Sequence, residues 1–306
     1  MGRVALKLFN AFMGRLTLRE IEQLSKGLGK IGFLVARGPR RIVSENLETA
    51  FPRRTKQERD YLTKQFFYVF GAGSLELLHF LKHPELVDTN VTLHGREYLE
   101  EAFSLGKGVI AITAHFGNFP LMLAKLAREK FPTYVIARPL RDEKSGDYIH
   151  QMRNEAGIKT IFSYPRKECV NATIKTLRDN KLVCMLMDQN FGTGGVWVDF
   201  FGKLAATPTG AIVFALRTSA AVVPMFIVRE KPGHHVVYIE RKVELKACEK
   251  NEEALLINTA SFSKIIERWV VRYPDHWGWI HKRWKSRPSK EMAKDPYRVQ
   301  QIAAAL

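Results

Sequence analysis

One seven-residue stretch holds the residue types that acid–base chemistry needs: Ala114-His115-Phe116-Gly117-Asn118-Phe119-Pro120. A neutral imidazole can take a proton from a hydroxyl nucleophile near neutral pH, because its ordinary pKa is about 6.5. The run before it, Gly108-Val109-Ile110-Ala111-Ile112-Thr113, is short and apolar and reads as a buried strand. The run after it, Leu121 to Arg128, reads as a helix. Asn118 is its expected N-cap, and Pro120 falls in the first turn, where a missing N–H is tolerated. His115 is therefore expected on a strand-to-helix turn, beside helix-start amides that suit a developing oxyanion. The stretch fits a general base but lacks a carboxylate to orient the imidazole and balance its charge. Asp188, directly after a predicted strand, is the first choice for that partner; a backbone carbonyl and an ordered water are the others.

Other segments also bear on chemistry. Asn190-Phe191-Gly192-Thr193-Gly194-Gly195 is a Gly-rich loop after Asp188-Gln189, with no following Gly-Lys-Ser/Thr, so it is not a nucleotide-binding P-loop. Trp197, Phe200 and Phe201 offer apolar area beyond it, and Thr207-Pro208-Thr209-Gly210 is expected to open a helix. Near the end, Trp277, Trp279 and Trp284 interleave with Lys282, Arg283, Lys285 and Arg287. Such a mixture suits a bilayer interface with anionic heads, or single-stranded nucleic acid.

Six blocks in order give the chain a resemblance to the bacterial lipid A late acyltransferases, within the lysophospholipid acyltransferase superfamily. They are Asn46-Leu47-Glu48-Thr49-Ala50-Phe51-Pro52; His115-Phe116-Gly117-Asn118; Arg138-Pro139-Leu140; the central run from Asp188-Gln189 through Gly195-Val196-Trp197-Val198 to Thr207-Pro208-Thr209-Gly210; Val222-Val223-Pro224-Met225-Phe226; and Trp279-Ile280-His281-Lys282-Arg283-Trp284-Lys285-Ser286-Arg287-Pro288. The family carries Asp or Glu at the fifth position after the His, where this chain has Pro120. The resemblance implies transfer of a fatty acyl group to a hydroxyl of a lipid A precursor or related glycolipid or lysolipid. The donor would be acyl carrier protein or acyl-CoA, with no cofactor and no metal. His115 and Asp188 would be catalytic; Asn118, Arg138, Arg153, Gln189 and Thr207 would contact substrate, Arg138 through a phosphate that a planar guanidinium suits. It also implies a peripheral protein on the cytoplasmic face of the inner membrane. Pro120 leaves a second reading open: a lipid-binding homologue that is silent or very slow in transfer.

The chain has 306 residues, 46% of them hydrophobic, which is enough for a sizeable core. Its net charge of +17 is uneven. Residues 1–64 hold 14 Lys/Arg against 6 Asp/Glu, and residues 264–290 hold 8 against 2. That asymmetry points to a polyanionic partner. An anionic membrane surface fits; nucleic acid is set aside because no helix-turn-helix, RNP or zinc-finger pattern is present. No apolar run approaches the roughly 18 residues of a membrane span. Leu6, Phe9 and Met13, with Arg3, Lys7 and Arg15 among them, read as an amphipathic helix, either lying in the headgroup region or packed on its own domain. Three separated cysteines, Cys169, Cys184 and Cys248, show no metal-ligand spacing and no disulfide framework.

These segments lie in an expected α/β fold: a layered mixed sheet flanked by helices, with a helical amino-terminal subdomain. Residues 1–37 and a stretch toward Ala50 read as helical, broken at Gly38-Pro39. Thr55 to Leu81 reads as a long helix with a capping box in Thr55-Lys56-Gln57-Glu58. Strands are expected at 109–113, 133–137, 159–162, 182–187, 222–228 and 236–245, with helices at 119–130, 143–156, 166–180, 209–219 and 252–272. Asp295 to Leu306 reads as a short helix or tail. Residues 1–85 form the helical, membrane-facing part and 86–306 the α/β acyltransferase part of what is expected to be one continuous unit.

Overall fold

The structure is a computed structural model, and it describes residues 12–288 apart from 141, 193, 249 and 250. Most of the expected amino-terminal amphipathic helix and the 295–306 tail lie outside the described residues. Met13 is inside them, and it is buried against Ile21 and Leu75. It serves the protein's own core rather than a lipid-facing stripe.

Three helices open the described chain: α1 (Leu18–Val35), α2 (Arg37–Ala50) and α3 (Lys56–Lys82). The starts of α1 and α3 are both capping boxes, Thr17 with Glu20 and Thr55 with Glu58. Each satisfies amides that a helix start leaves bare. The break between α1 and α2 falls at Ala36, not at Gly38-Pro39. Pro39 sits in the first turn of α2, where its missing N–H has no intrahelical partner to lose.

The rest alternates as α4 (Glu85–Asn90), β1 (Val91–His94), α5 (Arg96–Ser104), β2 (Val109–Thr113), α6 (Phe119–Arg128), β3 (Thr133–Ala137), α7 (Glu143–Glu155), β4 (Lys159–Phe162), α8 (Arg166–Arg178), β5 (Leu182–Leu186), β6 (Val196–Phe200), β7 (Lys203–Thr207), α9 (Gly210–Thr218), β8 (Ala221–Lys231), β9 (His234–Ile239) and α10 (Asn251–Arg272). Seven strands form a mixed sheet in the order β1-β9-β8-β2-β5-β3-β4. All neighbours are parallel except β8 and β9. The β6–β7 ribbon stands apart as an antiparallel pair. It and β1 have no counterpart in the sequence reading, because each is short and gets its regularity from a partner strand. The 236–245 strand ends early, at Ile239.

Helices cover both faces of the sheet, so its central strands are apolar throughout. Along β2, Val109 and Ala111 join one core with Leu121, Leu123 and Leu126 of α6, while Ile110 and Ile112 join the other. That second core also holds Val43 and Leu47 of α2 and Phe66 of α3, so the amino-terminal helices share it with the sheet. Cys184 lies within β5, and burial pushes its thiol up to about 12. No helix among the described residues is long and apolar enough to cross a membrane.

A buried charge network ties α1 and α3 to β8 and β9. Glu76 of α3 accepts from Arg229 Nε at 3.0 Å, from Arg229 Nη2 at 2.8 Å and from the Gly233 amide at 2.8 Å, and it lies 3.0 Å from His235 Nε2. Arg229 also donates to Glu22 of α1 at 2.7 Å and to the Tyr68 hydroxyl at 3.0 Å. Burial pushes the Glu76 carboxyl up, but the bonds from His235 and Arg229 outweigh it and hold it at about 2. A carboxylate depressed on folding contributes stability above its unfolded value, and that contribution is lost as pH falls through the folded value. Glu76→Ala is therefore expected to lower unfolding stability at pH 7 by roughly 3–5 kcal/mol, the usual effect of stranding a buried charge. In urea titrations, the gap between wild type and Glu76→Gln should narrow as pH falls from 4.5 toward 2.

Candidate active site

β2, β5 and β3 run parallel and end at one edge of the sheet, and the chemistry-bearing residues follow those ends. His115 comes two residues after β2, Asp188 two after β5 and Arg138 one after β3. A crevice outside the carboxyl ends of parallel strands is a recurrent binding place in such sheets. The turn from β2 into α6 is fixed locally. Gly117 has φ of 54°, and a Cβ there would sit 2.1 Å from the Ile227 carbonyl oxygen, so the residue must be glycine. Asn118 caps α6 by accepting from the Leu121 amide at 3.4 Å, and its Nδ2 donates to the Gly73 carbonyl of α3 at 2.8 Å. Pro120 lies in the first turn of α6.

The imidazole has a carboxylate partner. His115 Nδ1 lies 2.9 Å from Asp188 Oδ1, while Asp188 Oδ2 accepts from the His115 amide at 3.0 Å and from Trp277 Nε1 at 2.8 Å. Asp188 is buried. Burial pushes its carboxyl up, but the charge and hydrogen bonds of His115, with the Trp277 bond, outweigh that and hold it below the usual range. Burial pulls the His115 imidazole down, and the Asp188 charge and hydrogen bond outweigh that, leaving it above its usual value. An Nδ1–H donated to Asp188 leaves the Nε2 lone pair facing outward, where Gln189 Nε2 lies at 3.0 Å.

Nε2 opens on a cavity of about 230 Å³. One wall is α3, through Phe66, Phe70, Gly73 and Leu77; the floor is His115 and Gly117 to Pro120; the far side is Gln189, His276, Gly278 and His281. A larger cavity, about 590 Å³, lies between α3, α6 and α7, and neither His115 nor Asp188 lines it. The far side of the His115 cavity is held by a strip that pairs back on the His115 turn. Gly117 N donates to the His276 carbonyl and Gly278 N to the His115 carbonyl, each at 2.7 Å. Asn46 of α2 secures the strip by donating to the carbonyls of Trp279 at 2.7 Å and His281 at 2.8 Å.

The structure thus brings His115, Asp188, Gln189 and Asn118 together and leaves three expected contacts elsewhere. Arg138 is exposed at the same sheet edge, two strands away, about 9–10 Å in the pairing direction. Arg153, on α7, is half-buried outside the cavity, and burial lowers its pKa. Thr207 is buried; its hydroxyl donates to the Ala205 carbonyl at 3.0 Å and accepts from Arg283.

The carboxy-terminal mixture of aromatic and basic residues is not a surface. Trp277, Trp279, Trp284 and Arg283 are buried, and only Lys282, Lys285 and Arg287 are exposed. Three indoles offer more apolar area than solvent exposure can justify, and here they fill the space behind the active site. Arg283 donates to the Ala206 carbonyl at 2.6 Å and stacks 5.1 Å from the Phe200 ring centre. Burial pulls it down to about 10, with Asp188 acting the other way. The roles of Trp277 and Asn46 were missed in the sequence because nothing local marks them; Asn46 lay in a block that resembles a family, and Trp277 only in the aromatic and basic stretch near the end.

Comparison with known proteins agrees with that resemblance. The sequence profile of the family described as "Bacterial lipid A biosynthesis acyltransferase" matches residues 6–286. The chain belongs to this family. As a member it is an O-acyltransferase acting on a lipid acceptor. It is 26% identical over 274 residues to a lipid A biosynthesis lauroyltransferase of Escherichia coli (strain K12), covering 88% of this chain and 86% of that protein. It is 23% identical over 190 residues to a phosphatidylinositol mannoside acyltransferase of Mycolicibacterium smegmatis, covering 61% and 60%. A solved 1-acyl-sn-glycerophosphate acyltransferase, PlsC from Thermotoga maritima, aligns at a TM-score of 0.38 and 14% identity over 87% of this chain and 98% of that one.

In this chain the imidazole's partner comes from the end of β5. Asp188→Asn should leave burial as the dominant influence on His115. An NMR titration of the imidazole is then expected to move from a midpoint above 6.5 to one below it. A midpoint that stays in place would mean that Asp188 does not set the ring's charge.

Proposed function

We propose that this acyltransferase moves a fatty acyl group from a thioester, on acyl carrier protein or coenzyme A, to a hydroxyl of a glycolipid acceptor of the lipid A precursor class. The observation that supports this reading is the 2.9 Å pair of His115 Nδ1 and Asp188 Oδ1, with Nε2 open to the cavity. The acceptor hydroxyl takes the place of the Gln189 amide at Nε2 and gives up its proton there. Its oxygen attacks the thioester carbonyl, forming a tetrahedral oxyanion. Collapse breaks the carbon–sulfur bond, and the imidazolium returns its proton to the departing thiolate.

Asp188 holds the tautomer and stabilises the imidazolium through the step. The amides of Gly117, Leu121 and Met122 are already bonded within the protein. That leaves those of Asn118 and Phe119, at the positive end of α6, to meet the oxyanion. Arg138, exposed on the same sheet edge, would meet a phosphate of an acceptor larger than the cavity. The silent-homologue reading depended on an imidazole without a carboxylate, and the Asp188 contact weighs against it. Membrane association at the cytoplasmic face belongs to the same proposal, since the acceptor class is a lipid.

The test is a purified transfer assay with acyl carrier protein and coenzyme A thioesters offered to a lipid A precursor and, separately, to a phosphatidylinositol mannoside. His115→Ala is expected to abolish transfer while the protein stays folded. Asp188→Asn should lower kcat on the order of 10³–10⁴-fold with only a few-fold change in KM, as loss of an orienting carboxylate does in serine-protease triads. Because the base must be neutral, kcat/KM should rise with pH through a value above 6.5 in wild type. His115→Ala activity within a few-fold of wild type would defeat the mechanism. A wild type that transfers to neither acceptor from either donor would defeat the substrate class.

A further inference from the structure

α1 has two unlike faces. One packs on α3, where Gly29 lies so close to Tyr68 that an added Cβ would sit 2.9 Å from its Cα. The other carries large apolar side chains into the open: Leu28 at 42% exposure, Ile31 at 54%, Leu34 at 56% and Val35 at 71%. Single exposed apolar residues need no explanation, but four on the last two turns of one helix form a patch.

The patch runs on to the catalytic cavity. Phe33, beside Leu34, meets the Phe67 ring at 6.2 Å; Phe67 meets Phe66 at 5.6 Å; Phe66 meets Phe70 at 5.7 Å. Phe66 and Phe70 line the cavity that holds His115, and Phe70 is half exposed at its lip. A continuous apolar path therefore leads from the end of α1 to the base.

The helix end and the corner that carry the path are rich in cations. From Gln23 to Ser44 the chain has five cations, Lys26, Lys30, Arg37, Arg40 and Arg41, and no carboxylate. Lys26 pairs with Glu22 and Arg41 with Glu45. Arg40 and Lys64 both stand over the Phe33 ring, at 5.0 and 5.6 Å. Exposed apolar side chains ringed by Lys and Arg match an interface of acyl chains under anionic heads.

We propose that the carboxy-terminal half of α1 and the α1–α2 corner seat on an anionic lipid bilayer, so that the lip at Phe70 meets the leaflet and a lipid reaches His115 along the aromatic path. This rests on the reading above that the acceptor is a lipid, and it places the membrane contact on α1 and α2 rather than on the tryptophan-rich carboxy-terminal segment.

The test uses the full chain and sedimentation with vesicles of phosphatidylglycerol and phosphatidylcholine. Wild type should pellet with them and bind more weakly as salt rises. The double variant Ile31→Asp/Val35→Asp should bind about ten-fold or more weakly, since both side chains lose apolar contact. Leu105→Asp, an exposed apolar site at the opposite edge of the sheet, should bind like wild type. Hydrogen exchange on wild type, independent of any variant's folding, should show slowing on vesicle addition within residues 26–41. Equal binding by the double variant, or slowing confined to other segments, would overturn the proposal. So would a dimer that the double variant dissociates in a wild type that ignores vesicles, because the patch would then belong to a second copy. Transfer to a detergent-dispersed acceptor separates this from the catalytic reading. There the double variant should match wild type, and its deficit should appear only when the acceptor is in vesicles. A wild type inactive in detergent would count against the catalytic reading alone, leaving the vesicle arms to judge the docking face.

Discussion

The Asp188 carboxylate is the constraint around which the site is organised. A buried anion must be hydrogen-bonded and charge-balanced, or it will protonate or drive local rearrangement. Asp188 meets that demand with three donors from two segments: the His115 amide and imidazole, and the Trp277 indole. Each donor is also a positioning contact. The amide bond fixes the main chain after β2 beside the end of β5, the imidazole bond fixes the ring, and the indole bond pulls the carboxy-terminal strip under both. The requirement to satisfy one carboxylate therefore selects the geometry of the imidazole.

α3 carries the same logic outward. At Gly73 it accepts the Asn118 side chain that caps α6, and one turn later Glu76 closes the buried network with Arg229 and His235. A shift of α3 would strand Glu76 in an apolar interior and uncap the helix next to His115. The cavity wall is thus held by interactions whose loss is felt as stability, while its facing residues, Phe66, Phe70 and Leu77, stay free of polar duties. That division lets an apolar lip exist beside a charged dyad.

The legible part of the chain was the part whose pattern is local. The β2 run, the Asn118 cap and α6 follow from apolar clustering and capping chemistry within twenty residues, and the Thr55 box marked the start of α3. Asp188 could be nominated because a strand end beside another strand end is a short step from a parallel sheet. The α1–α2 break was misplaced because Pro39 is equally at home inside a helix's first turn. The tryptophans misled for a different reason. Aromatic and basic alternation looks the same whether it faces lipid or fills a core, and only tertiary contacts from Asn46, Asp188 and Phe200 decide. Thr207 was nominated for substrate from its block, yet its hydroxyl is taken up by Arg283 and the Ala205 carbonyl.

Pro120 then has a physical place in the fold. With Nδ1 bonded to Asp188, a carboxylate at position 120 would bring a second negative charge to the cavity that His115 lines. Asp188 already holds the imidazole above its usual value against the pull of burial. Another anion nearby would push it further in the same direction. Proline adds no charge and no donor, presents an apolar wall to the cavity, and sits in a helix turn that does not need its N–H. In this chain the carboxylate that the imidazole meets comes from the end of β5.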